Sequence, residues 1–266
     1  MPEARGRARF IRNGRNKTTI KNRCLTMKKL NSLFTSTHIF AVALVTTLYS
    51  SATFADWSAN ISAVSDYTFN GLSQTQNDPA LQGGVDKAFD NGTYVGTWAS
   101  NVDFGGDTNL EWDAYVGRYQ MLTDAVSIDY GIAYYSYHGG DDSSDGNYPE
   151  IYTKLGYASD YGNTELNLWY TWDYFGTGSR HTVAMIAHTF ELAPNHNLRA
   201  SFDVSNSLDS DTWVWRDENT SFYHYRLAYQ TSYKGLDFEI AAENTNLDID
   251  TADERIVFGV SKTFSF

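Results

Sequence analysis

Trp57-Ser58-Ala59-Asn60-Ile61-Ser62-Ala63-Val64-Ser65-Asp66-Tyr67-Thr68-Phe69-Asn70 alternates along its whole length. Its odd positions carry Trp57, Ala59, Ile61, Ala63, Ser65, Tyr67 and Phe69, and its even positions carry mainly Ser58, Asn60, Ser62, Asp66, Thr68 and Asn70. Side chains two residues apart share one face of an extended chain, so this spacing predicts a strand over 57–70 with an apolar and a polar face.

The same period returns in Leu110–Gly117, Val126–Tyr134, Leu166–Tyr174, Leu198–Ser205, Tyr223–Tyr233 and Leu236–Glu243. Less regular strands fill Ala80–Phe89, Thr93–Phe104, Glu150–Ala158 and Arg180–Leu192, the last with no clear face, and Arg255–Phe266 closes the chain. The connections Asp90–Gly92, Met121–Asp124, Ala193–His196 and Lys234–Gly235 are short, and two of them carry glycines suited to tight hairpins. Gly71–Pro79, His138–Asn147 and Ser207–Asn219 are longer and polar. Short turns alternating with long loops predict an all-β, up-and-down antiparallel transmembrane barrel of about twelve strands, within a range of about ten to fourteen. Bulky rows of Tyr, Trp and Leu would crowd a lumen, but facing outward they make a lipid band with aromatic girdles.

Outward from the strands, the charge divides in two. The chain has 266 residues, with 20 Lys and Arg against 32 Asp and Glu and a net charge of −12. Lys28 and Lys29 precede an apolar stretch from His38 to Tyr49 and a small-residue exit ending at Ala55. This pattern predicts a secretory signal over 27–55, with cleavage after Ala55. The basic run 1–26 is unusual ahead of such a signal, so Met27 reads as the translation start and 1–26 as an over-extended segment. Residues 56–266, the expected barrel, then carry 10 Lys and Arg against 31 Asp and Glu, a net −21. The lone Cys24 excludes a disulfide scaffold, and the acidic body excludes nucleic acid as a partner.

If the apolar rows meet lipid, the polar rows line the interior. Candidate pore-lining residues are Asp66, Asp103, Glu111, Asp113, Asp129, Glu150, Glu165, Asp173, Asp203, Asp237 and Glu239, with the bases Arg199 and Arg226. Asp86, Glu243, Lys154 and Arg255 fall on the same face, and acids then outnumber bases thirteen to four. A channel lined mainly by one sign concentrates counter-ions, so a preference for cations is expected. Twelve strands lie between the filled interior of about eight and the open channel of about sixteen, which suits small solutes or ions. Tyr115, Tyr135, Tyr152, Trp169 and His224 also project inward, and would suit a channel selective for a nucleoside or another small organic solute.

In the last strand, Phe258, Val260, Phe264 and Phe266 form an alternating apolar row ending on the C-terminal Phe, like the signal read by the barrel assembly machinery. Lys262 interrupts that row, at a position where a lysine can snorkel to the interface. The expected partners are therefore outer-membrane lipid, that machinery, and small solutes or ions.

The residues also look like a known family. Val64-Ser65-Asp66-Tyr67-Thr68-Phe69-Asn70-Gly71-Leu72-Ser73-Gln74-Thr75, Asp78–Gly84 and Gly96–Val102 resemble the TorF-type putative porin family of proteobacteria, with further likeness at Glu111-x-Asp113-x-Tyr115-x-Gly117 and Tyr148–Glu150. The likeness spans nearly all of 56–266 and departs at Asn70, where the family pattern favours Arg. It implies an outer-membrane barrel of a Gram-negative bacterium with a presumed pore, and it supplies no solute.

No chemistry is expected. His181 or His188 with a serine on a neighbouring strand is the nearest approach to a nucleophile and base, and no GxSxG or HExxH motif appears. The oxygen-rich stretches 141–147 and 248–254 lack the spacing of a calcium loop, so neither metal nor cofactor is assigned. The alternative to a conducting channel is a structural or enzymatic barrel without conductance.

Overall fold

The computed structural model describes residues 57–215 and 219–266; the predicted export segment and its cleavage site lie outside them. The strands are β1 (Trp57–Val64), β2 (Thr68–Phe69), β3 (Leu72–Ser73), β4 (Ala80–Ala88), β5 (Thr93–Asn101), β6 (Leu110–Met121) and β7 (Val126–His138). They continue with β8 (Tyr148–Ser159), β9 (Gly162–Thr171), β10 (His181–Ala193), β11 (His196–Ser207), β12 (Ser221–Tyr233), β13 (Leu236–Thr245) and β14 (Arg255–Ser265). Among the described residues, β1 and β4–β14 form one closed antiparallel barrel of twelve strands, while β2 and β3 pair only with each other.

Neighbours in sequence are neighbours around the ring, as short turns require. β1 closes the ring against β14 in a register that runs from Ser58 opposite Ser265 to Val64 opposite Gly259. Closure leaves no strand edge, so the ladder satisfies its own backbone donors and acceptors, which is the condition for crossing hydrocarbon with strands. The apolar rows face outward: Leu227, Ile256 and Phe258 are 50%, 60% and 56% exposed. The ambiguous strand resolves as β10, with His181, Val183, Met185, Ala187 and Thr189 buried inward and Ala184, Ile186 and Phe190 exposed.

The first strand departs from its expected span. Instead of running to Asn70, β1 stops at Val64. Ser65 makes the last contacts with β14, donating its N–H to the Phe258 carbonyl at 2.8 Å and accepting the Phe258 N–H on its hydroxyl at 2.9 Å. Asp66 then turns inward because three groups hold its carboxylate: Arg255 at 2.7 Å, Ser73 at 2.6 Å and Thr75 at 3.1 Å. The alternation continues through Phe69 because β2 is itself a strand, paired Thr68 to Ser73 and Phe69 to Leu72 in a hairpin inside the barrel. Asn70 (φ 49°) and Gly71 (φ 81°) make its turn, both in the left-handed region that a type I′ hairpin demands. The expected polar outer loop 71–79 is thus half of an inward fold.

Two other strands end early. β5 stops at Asn101, leaving Phe104 in a loop, and β9 stops at Thr171, leaving Tyr174 in a short 3₁₀ turn over Tyr174–Gly176.

Candidate functional site: the barrel lumen

The inner face has two unlike walls. On β6–β8, Glu111, Asp113, Tyr135, Tyr137, Tyr148 and Glu150 are all at most 3% exposed. Tyr135 donates its hydroxyl to Glu150 at 3.0 Å, and the Tyr135 and Tyr148 rings stack with centroids 4.7 Å apart. The hydroxyls of Tyr67 and Tyr137 reach the Glu111 carboxyl. Even so, Glu111 Oε2 and Asp113 Oδ1 have no hydrogen-bond partner among the described residues. This wall carries carboxyl groups braced by phenols.

Toward the short turns the same wall forms a second belt. Tyr94 donates to Asp129 at 2.7 Å and lies 2.5 Å from the Tyr152 hydroxyl, while Tyr115 donates to Asp86. These rings lie flat because their neighbours across the ladder are glycines. A Cβ at Gly117 or Gly131 would strike Tyr94 or Tyr152, so a side chain there would displace the belt.

Across the lumen, β9–β14 present ion pairs. Arg199 of β11 grips Glu165 of β9 through both terminal nitrogens, at 2.8 and 3.2 Å. Arg226 of β12 bonds Glu239 at 2.5 Å and also Glu243 of β13. His224 Nδ1 lies 2.8 Å from Asp203 Oδ2, and Gln230 adds a 2.7 Å bond to Glu239. Arg255 of β14 holds Asp66. Each of these five carboxylates has a basic partner, with Arg226 shared between Glu239 and Glu243.

Between the walls sits the β2–β3 hairpin. Tyr67 lies edge-on to Trp98 of β5 at 5.4 Å, and Phe69 lies edge-on to Tyr135 of β7 at 6.4 Å. The Gly71 tip meets the other side: a Cβ there would lie 2.5 Å from Thr245 and 2.6 Å from the His224 ring. Tyr67 and Phe69 were expected on the lipid face; the turn at Asp66 sends both inward, and Tyr67 is buried. In the short-turn half Asn60, Asp129, Lys154, Glu165, Trp169 and Glu239 are half-buried, while Tyr94, Thr189, Arg199 and Gln230 are buried.

The expected pore-lining set divides accordingly. Glu111, Asp113, Asp129, Glu150, Glu165, Arg199, Asp203, Arg226, Asp237 and Glu239 sit on inward positions of barrel strands, and Asp66 sits at the root of the hairpin. Asp103 and Asp173 do not belong with them. Asp103 is an exposed loop residue that accepts the Gly105 N–H at 2.7 Å, and Asp173 starts the 3₁₀ turn and accepts the Gly178 N–H at 2.7 Å. Both carboxylates satisfy loop backbone because their strands end before reaching them. Phe258, Phe264 and Phe266 are exposed on the outer face of β14, with the half-buried Val260 in the same row and Lys262 packed over the Phe264 ring at 5.0 Å. Tyr137 and Tyr148 went unassigned because inward and outward tyrosines look alike in sequence. The hairpin did leave a signal, the pair Asn70-Gly71.

At the long-loop end, Tyr174, His181, Trp213, Trp215 and Phe222 form an aromatic cluster in which Tyr174 stacks on His181 at 4.1 Å. His181 Nε2 lies 2.7 Å from Ser205 Oγ, while its Nδ1 has no partner among the described residues. The pair is buried and no acid orients the imidazole, unlike an activated nucleophile and base. His188 faces outward and bonds Thr164 at 2.9 Å. Outside the barrel strands, Arg180 and Asp209 tie two loops together at 2.6 Å, and the guanidinium bonds hold the Asp209 carboxyl down to about 2.

No curated protein sequence matches this chain. Among solved structures it is similar to the KdgM porin, with 11% identity over 78% of this chain and 99% of that one and a TM-score of 0.52. It is also similar to the NanC porin, with 12% identity over 79% and 98% and a TM-score of 0.50. At such identities the likeness lies in the barrel fold. The sequence profile of a bacterial family described as of unknown function, Gcw_chp, matches residues 49–264. The chain belongs to the Gcw_chp family.

Proposed function

We propose that this protein is a porin-like channel of the outer membrane, passing small cations and neutral solutes by passive diffusion and catalysing no reaction. The observation that carries the reading is the contrast of faces: a closed barrel with apolar rows outside and a polar interior whose β6–β8 wall holds Glu111, Asp113 and Glu150. The lumenal ion pairs lie elsewhere, and among the described residues no basic side chain comes within ion-pair distance of these three. Asp237 adds acid where water reaches the lumen, while Asp129 lies opposite Lys154, and Glu165 and Glu239 are paired with Arg199 and Arg226. An interior with this excess of carboxyl groups attracts cations and repels anions.

The barrel likeness to two porins supports the channel reading, and the TorF-type resemblance adds a proteobacterial outer-membrane setting. Export through a signal at 27–55 and assembly through the Phe258–Phe266 row complete the proposal. The test is the reversal potential of the purified protein in a planar bilayer under a salt gradient. A potential on the cation side is expected, and a clear anion preference would overturn the reading.

A further inference from the structure

We propose that the β2–β3 hairpin is the constriction of the pore, the element that sets how much current and how large a solute it admits. The inference rests on the channel reading above and adds the part of the chain that does the selecting.

The hairpin does more than lean on its own strand. Its root is tied to β14 through Asp66 and Arg255, Phe69 reaches Tyr135 on β7, and the Gly71 tip packs on His224 and Thr245 of β12 and β13. Going round the ring from β1, β7 is four strands away in one direction and β12 three in the other, with five steps between β7 and β12. Three supports so spaced place the hairpin across the bore. A loop pressed against one stretch of wall would leave the rest of the lumen clear, and this one does not.

The hairpin is also built to hold its place. Asn70 and Gly71 give a turn whose twist matches paired strands. The Gln74 N–H bonds the Tyr67 carbonyl at 2.7 Å, so the base is closed. Thr75 and Ser73 share the Asp66 carboxylate with Arg255, fixing the angle at which the chain leaves β1. Glycine is needed at 71 twice over, for its positive φ and for the close approach to the His224 ring. Toward the short turns Asn60, Asp129, Glu165 and Glu239 are half-buried among buried neighbours such as Tyr94 and Arg199, whereas at the hairpin's level Glu111, Asp113 and His224 are all at most 3% exposed. The hairpin segment is packed directly on the β6–β8 wall, Phe69 on Tyr135 and the Tyr67 hydroxyl on Glu111, so the bore is closed down where the hairpin lies.

Because Tyr67 and Gln74 are already paired, replacing Thr68–Ser73 with two glycines removes the hairpin while leaving its base a two-residue turn. Single-channel conductance and liposome-swelling rates for solutes of graded size are compared between this variant and the full chain. Heat-dependent gel mobility confirms that each barrel is folded. The expected result is a several-fold rise in conductance and a larger size limit, with cation preference retained. If the full chain is silent and the shortened one conducts, the hairpin is still the constriction, and it is the freely open channel that fails. Equal conductance in the two overturns the inference and leaves the channel reading standing; silence in both overturns the two together. Should the shortened chain not fold, Phe69→Ala with Leu72→Ala thins the hairpin while keeping Asp66 and the Asn70-Gly71 turn. A smaller rise is then expected, and unchanged conductance overturns the inference.

Discussion

The two walls of the lumen solve the same problem in opposite ways. Both bury carboxyl groups, and a buried carboxyl must find hydrogen bonds or opposite charge. The β9–β14 wall uses charge: Arg199, Arg226, Arg255 and His224 each pair with an acid. The β5–β8 wall uses phenols, with Tyr94, Tyr115 and Tyr135 donating to Asp129, Asp86 and Glu150. A salt bridge cancels the charge it stabilises, whereas a tyrosine satisfies an oxygen and supplies no opposite charge. One wall is therefore ion-paired, and the other holds carboxyls with no cation at ion-pair distance among the described residues.

That contrast is broken most severely at Arg226. Arg226→Met leaves Glu239 and the fully buried Glu243 side chain without their shared guanidinium. Removing one partner of a buried pair costs about 3–5 kcal/mol, because the charge left behind has lost both water and partner. Urea unfolding of the protein in detergent or bilayer should show that loss. On the tyrosine wall the corresponding change is milder. Tyr135→Phe removes one bond to Glu150 while keeping the ring stacked on Tyr148, and a hydrogen bond to a charged group is worth about 1.5–3 kcal/mol. The same unfolding experiment ranks the two variants, and an equal loss would erase the distinction between the walls.

The third variant separates stability from selection. Glu111→Gln with Asp113→Asn replaces two carboxyls that each have an oxygen without a partner. Few bonds are lost, so stability should move by less than about 1 kcal/mol. If these carboxyls set the sign, the reversal potential in a salt gradient shifts toward zero. An unchanged potential would assign the sign to the half-buried acids nearer the short turns.

Much of this barrel could be read from period and punctuation. Rows such as Leu110, Trp112 and Val116 mark the lipid face because lipid contact demands uniform apolarity, and Lys234-Gly235 marks a turn because both residues there take positive φ. The hairpin escaped because alternation reports extended backbone and not the partner it pairs with. Trp57–Asn70 keeps its period while leaving one sheet and entering another. The cause of that departure lies 189 residues away in Arg255, a contact that exists only once the ring is closed. The partition of acids between arginines and tyrosines is likewise a matter of register around the barrel. It decides which acids set the sign of the lumen, and no local pattern encodes it.

The smallest effect sharpens the comparison from outside it. Arg180 and Asp209 make an arginine–carboxylate pair as close as Arg199–Glu165 or Arg255–Asp66 in the lumen, with bonds of 2.6, 2.9 and 3.2 Å, but the Arg180 side chain is 54% exposed. Asp209→Asn should leave the unfolding midpoint within error of the parent, because water and salt screen an exposed pair. The pair should still be visible in its titration. Its bonds to Arg180 hold the Asp209 carboxyl at about 2, below the ordinary aspartate value of about 3.9. A lowered value in the folded state means that the contribution is complete above about pH 4 and is lost as pH falls through about 2. NMR titration of the Asp209 carboxyl, or protease nicking of the loop at 208–215 across that range, measures it. If Asp209→Asn costs as much as Arg226→Met, burial is not what distinguishes the lumenal pairs. If it costs nothing, the same two groups differ only by the water removed from around them.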